Sequence, residues 1–142
     1  MEMFFKTLNR KVRVNLILQS VGMLMGTSTH IAWIFQNGFL SENYNASLFS
    51  KIFWDSLTFL DPLAALLLFI KPKSGVFLTL IIILVDVIHN NVVYCDELYI
   101  NAPQMTEWLV KYWMILGQIV FGLFVVVSLK SNLKEINRNI LK

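Results

Sequence analysis

Four long apolar stretches separated by short polar segments dominate this chain. They cover residues 14–36, 53–70, 76–94 and 108–129. Each is close to the roughly 20 residues that a helix needs to cross the ~30 Å hydrocarbon core of a bilayer. The pattern therefore predicts an all-α integral membrane protein, a bundle of four transmembrane helices forming a single domain over residues 1–142.

The overall composition supports this prediction. Of the 142 residues, 56% are hydrophobic and 15% are charged, which is far too apolar for an ordinary soluble domain. The net charge of +3 is small, and it is better explained by membrane topology than by nucleic-acid binding. No nucleic-acid partner is therefore expected. Cys95 is the only cysteine, so the chain cannot form an intrachain disulfide.

Lysine and arginine are concentrated in three segments, at residues 6–13, 71–73 and 130–142. Because cytoplasmic loops of membrane proteins are enriched in these residues, both termini are predicted to be cytoplasmic. In the tail at 130–142, leucine and isoleucine recur at helical spacing. This predicts a short amphipathic helix on the membrane surface, and a frayed terminus is the alternative.

Ionisable side chains interrupt the apolar stretches, and such a residue within a membrane span is a functional-site candidate by default. Asp86, His89 and Asn90 are spaced i, i+3 and i+4, which puts them on one face of a helix. Asp86 and His89 are then predicted to hydrogen-bond across one turn, which leaves a group poised to take or give a proton near neutral pH. The alternative is a structural clamp, in which a protonated Asp and an Asn bridge neighbouring helices.

The polar groups of the predicted spans share one depth. At ~1.5 Å of rise per residue, His30, Asp61 and Gln118 lie roughly 9–15 Å below the outer ends of their helices. This predicts a polar chamber that opens toward the outer leaflet or the outer aqueous side. The predicted catalytic residues are His30, Asp61, Asp86 and His89. The predicted ligand-binding residues are Asp55, Thr58, Asn90, Gln118, Trp33, Trp54, Trp113 and Tyr112.

The tryptophans and tyrosines lie in or near the same outer half. Such residues often form an interfacial belt. The alternative is an aromatic wall around a ligand, able to hold a cation by cation–π attraction. No metal site is predicted, because no HxxxH or ExxH spacing occurs in the sequence, and no cofactor is expected.

The order and spacing of four segments resemble the EXPERA family, which includes sterol isomerases and the sigma-2 receptor. The segments are residues 29–31 (Thr-His-Ile), 53–58 (Phe-Trp-Asp-Ser-Leu-Thr, followed by Pro62), 84–87 (Leu-Val-Asp-Val) and the aromatic stretch 108–118. The resemblance implies a four-helix bundle with a pocket for a lipophilic amine or a sterol-like ligand. It also implies that His30 and Asp55 are acid–base or cation-stabilising groups and that Gln118 is an orienting amide.

The function expected from the sequence is a membrane-embedded site for a small lipophilic molecule, either sterol-like or a cationic amphiphile. Acid–base isomerisation of that molecule is the reaction that the buried carboxyl and imidazole groups suggest. The expected partners are this ligand and membrane lipid, and a second copy of the chain is a further candidate. The alternatives are a proton or cation transporter that uses the same groups, and a non-catalytic helical membrane subunit.

Overall fold

A computed structural model describes residues 2–100 and 103–141, and this part of the chain is helical without a strand. The all-α fold predicted from the sequence is confirmed. The described residues form the α-helices α1 Glu2–Thr7, α2 Arg10–Asn37, α3 Leu48–Ile70, α4 Pro72–Val93 and α5 Met105–Ile140. A 3₁₀ turn at Glu42–Tyr44 lies between α2 and α3, and a π-helical segment at Asp96–Ile100 lies between α4 and α5.

Within the described chain, α3, α4 and α5 are long and apolar enough to cross a membrane, which indicates an integral membrane protein. Helix α2 is also long, at 28 residues. It is less apolar because Asn15, Gln19 and the polar run at residues 27–30 interrupt it. Its crossing of the membrane, the total of four spans and the cytoplasmic side of the termini therefore stay predictions.

The ends of the helices follow from local sequence. Helix α2 begins after Asn9, whose side chain accepts a hydrogen bond from the backbone N–H of Val12 at 2.9 Å, and it ends at Gly38 with φ +85°, a conformation that favours glycine. Helix α4 begins at Pro72, at a position where the missing N–H removes no helical bond. A Cβ added at Gly75 would collide with the backbone of Leu68, so α3 and α4 are in close backbone contact.

The helices pack in sequence order, α2 on α3, α3 on α4 and α4 on α5, and α2 meets α5 over a smaller surface. We call the end that contains the start of α2, the turn at Lys71 and the end of α5 the basic end. A buried apolar cluster fills this end. Its members are Leu8, Val12, Leu16, Leu68, Val76 and Ile136.

The C-terminal segment is part of this packing and does not form a separate helix. Beyond a kink at Tyr112, helix α5 continues to Ile140. Ile136 is fully buried in the cluster at the basic end, and Leu133 packs against the same cluster. Of the apolar residues that predicted a surface helix over 130–142, Leu133 and Ile136 therefore face the other helices, whereas Ile140 and Leu141 are exposed. Lys142, the last residue of that predicted tail, lies outside the described residues.

Candidate functional site

A cavity of about 280 Å³ lies between α2, α3, α4 and α5. It brings together polar side chains from all four helices. Those polar lining residues are Thr29, His30, Asp61, Asp86 and Gln118. Four residues that were predicted from their depth, one on each helix, are therefore neighbours of the same space. They are His30, Asp61, Asp86 and Gln118.

The amide of Asn90 links three of the helices beside this cavity. Its Oδ1 accepts a hydrogen bond from the indole Nε1 of Trp54 on α3 at 2.8 Å. Its Nδ2 donates to Oδ1 of Asp86 at 3.0 Å and to Oε1 of Gln118 on α5 at 2.8 Å. Both hydrogens and the oxygen of the amide are thus engaged, so Asn90 positions Asp86 and Gln118 and has no free polar atom for a ligand.

Asp61 contrasts with these residues, because no hydrogen bond to it is found within the described chain. It is 4% exposed, and its buried Oδ1 has no partner. The other carboxyl oxygen lies beside α2, where a Cβ added at Gly26 would be 2.7 Å from it. An unpartnered buried carboxyl is costly, and one that lines a cavity is available to a ligand.

The cavity opens between α2 and α5. On its α3 and α4 side the lining residues Asp61, Ile83 and Asp86 are all buried. On the opposite side Met25 and Trp113 are each 61% exposed. Gly117 has no atom within 4 Å of the position that a Cβ would occupy. The opening is therefore on the side of the bundle, between two helices, where a membrane would present lipid.

The hydroxyls of α2 next to the cavity bond to their own helix. Those of Thr27, Ser28 and Thr29 donate to the backbone carbonyls of Met23, Met25 and Gly26 at 2.7–3.0 Å. Serine and threonine in helices commonly satisfy their polar groups in this way. His30 lines the cavity one position further along, and within the described chain its ring makes no hydrogen bond.

His89 lies apart from the cavity, contrary to the expectation that it shares a face with Asp86. Its ring packs against Phe53 and Trp54 on α3, with centroid separations of 4.8 and 5.4 Å. Its Nε2 is buried and has no hydrogen-bond partner among the described residues, and Asp86 bonds to Asn90 instead of to His89. Residues three positions apart on a helix differ by about 60° in direction, which is enough to turn His89 toward α3.

Asp55 supports the connection between α2 and α3. Its carboxylate accepts hydrogen bonds from the backbone N–H of Leu40 at 2.6 Å and from the hydroxyl of Tyr44 at 2.7 Å. Burial and the bond to Asp55 raise the pKa of Tyr44, which therefore stays protonated as a donor. Asp55 does not line the cavity, and both of its oxygens are engaged by protein.

The predicted aromatic residues lie in three places. Trp33, Tyr44 and Trp54 form a stack, with centroid separations of 4.8 and 5.1 Å, at the end of the bundle opposite the basic end. Trp113 alone of the predicted tryptophans lines the cavity. Tyr112 is buried at a kink in α5, with φ −115° and ψ 16°.

Thr58, another predicted ligand-binding residue, lies on α3 and does not line the cavity. Its hydroxyl is buried and has no hydrogen-bond partner in the part of the chain that the structure describes.

Glycines and methionines border the cavity although the sequence did not single them out as site residues. Gly26, Gly117, Met25 and Met114 all line it. The sequence does contain a pattern that indicates this lining. Gly22, Gly26 and His30 are spaced by four residues and therefore lie on one face of α2.

A second polar group, at the basic end, was also missed. There Asn15 donates to Asn132 at 3.0 Å, and Gln19 donates to Ser128 at 3.0 Å. Gln19 and Asn132 are fully buried. We call these four residues the amide contact. It joins α2 to α5 directly, and it lies on the basic-end side of the cavity.

No cluster of three or more His, Cys, Asp or Glu side chains that could hold a metal ion occurs in residues 2–100 and 103–141. Comparison of the chain with protein-family models, with curated proteins and with solved structures finds no match. The resemblance to the EXPERA family therefore stays a prediction.

Proposed function

We propose that the protein binds a small lipophilic molecule in the cavity between α2 and α5 and the two helices behind them, and that α2 is a fourth transmembrane helix. The observation that carries the proposal is the combination of a side opening with polar groups at its base. Ligand sites are typically concave and mostly apolar, with a few polar groups that fix orientation. Here Asp61 and Asp86 are those groups, and His30 and Gln118 border the same space.

An acid–base reaction at this site would use groups that touch the same ligand. Asp61, Asp86 and His30 meet that condition, and a proton could pass from a carboxyl to one carbon of the ligand and from another carbon to a second group, as double-bond isomerisation requires. His89 packs on α3 outside the cavity, so it does not contact the ligand in this reaction.

The packing at the basic end favours binding from the lipid over transport across the membrane. A transporter needs alternating access from both sides. Buried apolar residues such as Leu16, Leu68 and Val76 fill the basic end, and the amide contact joins α2 and α5 there. The basic end is therefore closed as a route to the cavity, whereas the side opening offers one.

The proposal is tested by identifying what the full chain retains after purification in detergent. Solvent extraction and mass spectrometry should find one molecule enriched over bulk lipid. Gly26→Leu, which fills the cavity beside Asp61, should remove this molecule. Val127→Leu, on the exposed side of α5 with Val127 80% exposed, should leave it bound.

Two results would contradict the proposal. One is that no molecule is enriched, or that Gly26→Leu retains it as well as the unmodified chain does while both remain folded by circular dichroism. The other is proton or cation flux in proteoliposomes that Asp86→Asn abolishes, which would support a transporter that uses the same carboxyls.

A further inference from the structure

A continuous apolar groove leads out of the cavity along the surface between α2 and α5. Its walls are Leu18 and Val21 on α2 and Val120 and Phe124 on α5. It shares Gly22, Met25, Gly117 and Phe121 with the cavity. The two spaces therefore form one surface, with polar groups only at the cavity end. We call this the α2–α5 groove.

The groove is elongated along the helices. From Gly117 to Phe124 the α5 wall extends for about 10 Å at the rise of an α-helix, and the α2 wall from Leu18 to Met25 is equally long. It runs from the opening toward the basic end, because α2 begins there and α5 ends there. A long apolar track that starts at a polar pocket matches a molecule with one polar head and one hydrocarbon chain.

The chemistry of the cavity restricts the head. Its lining contains the two carboxyls of Asp61 and Asp86 and no lysine or arginine. His30 is the one lining side chain that can carry a positive charge. An anionic head would lie beside these carboxyls in a medium of low dielectric, with no lysine or arginine to balance its charge. A hydroxyl or ammonium head would instead donate hydrogen bonds to the carboxyl of Asp61, which lines the cavity and accepts no hydrogen bond within the described chain.

We propose that the ligand is a single-chain amphiphile, an inference that rests on the proposed function. Its head donates hydrogen bonds and carries no negative charge, and lies against Asp61 and Asp86, while its chain lies in the α2–α5 groove. The groove is thus the subsite for the hydrocarbon chain, and its apolar walls contact that chain along the path to the basic end.

Three photoreactive probes that differ only in the head test this arrangement. Each carries a diazirine at the far end of a dodecyl chain, and the heads are ammonium, hydroxyl and carboxylate. The full chain is placed in nanodiscs of phosphatidylcholine, irradiated with each probe, and digested for mass spectrometry. The ammonium and hydroxyl probes should label residues 18–21 and 120–124, about tenfold above Val127, a lipid-facing reference on the same helix. The carboxylate probe should label the groove no more than it labels Val127.

Variants separate the head from the chain. Asp61→Asn combined with Asp86→Asn should remove the preference for the ammonium probe over the carboxylate probe. Val120→Trp should block the groove and reduce its labelling about tenfold. Val127→Trp, the matched change on the lipid-facing side, should not. Circular dichroism confirms that each variant is folded.

The inference would be overturned if the ammonium and hydroxyl probes labelled Val127 and the groove equally. It would also be overturned if the carboxylate probe labelled the groove more strongly than the other two probes do. The experiments distinguish failure of this inference from failure of the proposed function. If Gly26→Leu loses the molecule retained on purification but the probes do not label the groove, the cavity binds a ligand and the groove is not the subsite for its chain. If Gly26→Leu retains that molecule, the cavity site itself is wrong.

Discussion

Helices α2 and α5 meet in two different ways along their length. Near the basic end the amide contact joins them, through Gln19 to Ser128 and Asn15 to Asn132. Further along they border a cavity, and there Asp61 and His30 find no hydrogen-bond partner in the described chain. Both regions contain polar side chains within apolar helices. In the amide contact the side chains bond to one another across the two helices, although Oε1 of Gln19 has no partner in the described chain. At the cavity no such bond joins Asp61 or His30 to a neighbour, so these groups are available to a ligand.

This comparison gives a rule for interpreting polar residues in membrane helices. An amide has a donor and an acceptor, so two amides on facing helices can bond to each other. Two ionised carboxyls offer only acceptors, so Asp61 and Asp86 cannot satisfy each other without a proton or a third group. Asn90 supplies that group for Asp86, and within the described chain nothing supplies it for Asp61.

The largest effect is expected on the free energy of unfolding, when the two aspartates of α3 are substituted and compared. Asp55→Asn should lower the free energy of unfolding by about 1.5–3 kcal/mol, the usual range for a hydrogen bond to a charged group. Asp61→Asn should leave stability unchanged or raise it, because Asp61 makes no hydrogen bond that would be lost. Unfolding of the purified protein in detergent, followed by far-ultraviolet circular dichroism, measures both.

Tyr44→Phe is the control for Asp55, because it removes the donor of the same bond. The double variant should be less destabilised than the sum of the two single variants, since their effects share one interaction. Equal losses of stability in Asp55→Asn and Asp61→Asn would show that the distinction between engaged and free carboxyls is wrong.

The next largest effect is expected on ligand binding, when two glycines that line the same cavity are substituted and compared. Gly26→Ala places a methyl group 2.7 Å from Oδ2 of Asp61, so the carboxyl must move. Gly117→Ala places it in open space. We expect Gly26→Ala to weaken binding of the ammonium probe about tenfold, equivalent to about 1.4 kcal/mol, and Gly117→Ala to change it less than twofold. Photolabelling at increasing probe concentration gives both affinities.

Both substitutions raise intrinsic helix propensity by a similar amount, about 0.8–1 kcal/mol. A difference in binding between the two variants therefore reports the position of Asp61 and not helix stability. Loss of binding in Gly117→Ala alone would indicate that the ligand packs against Gly117 and that the position of Asp61 does not matter.

The smallest effect concerns the amide contact. Hydrogen bonds between membrane helices contribute about 0.6 kcal/mol on average and at most about 1.7 kcal/mol. A double-mutant cycle of Asn15→Leu and Asn132→Leu should give a coupling energy in this range. The same cycle on Leu18 and Val120, which flank the α2–α5 groove, should give a coupling near zero. A larger coupling there would show that the groove is closed.

Much of the fold was predictable from sequence because apolar length and turn residues are local properties. The helical fold and the turn at Lys71 and Pro72 follow from them. The depth of polar residues also anticipated that His30, Asp61, Asp86 and Gln118 would meet. His89 shows the limit of this reasoning, since its direction depends on the aromatic rings that α3 presents to it.

The amide contact and the glycine lining were less accessible, because each requires knowing which helices are neighbours. Asn15 and Asn132 are 117 positions apart, and no local pattern pairs them. Gly22 and Gly26 are equally compatible with a close helix contact and with a cavity wall. In the structure both glycines line the cavity, and a Cβ would meet Phe121 at Gly22 and Asp61 at Gly26.

The sequence by itself determined which residues are apolar enough to form membrane helices and which polar groups those helices contain, because hydropathy and helical period are properties of each segment. Only the tertiary structure decided which of these groups satisfy one another. Hydrogen bonding in an apolar medium depends on the distance between side chains of different helices, and that distance is set by packing. The packing closes α2 against α5 at the amide contact and leaves Asp61 facing a cavity between them.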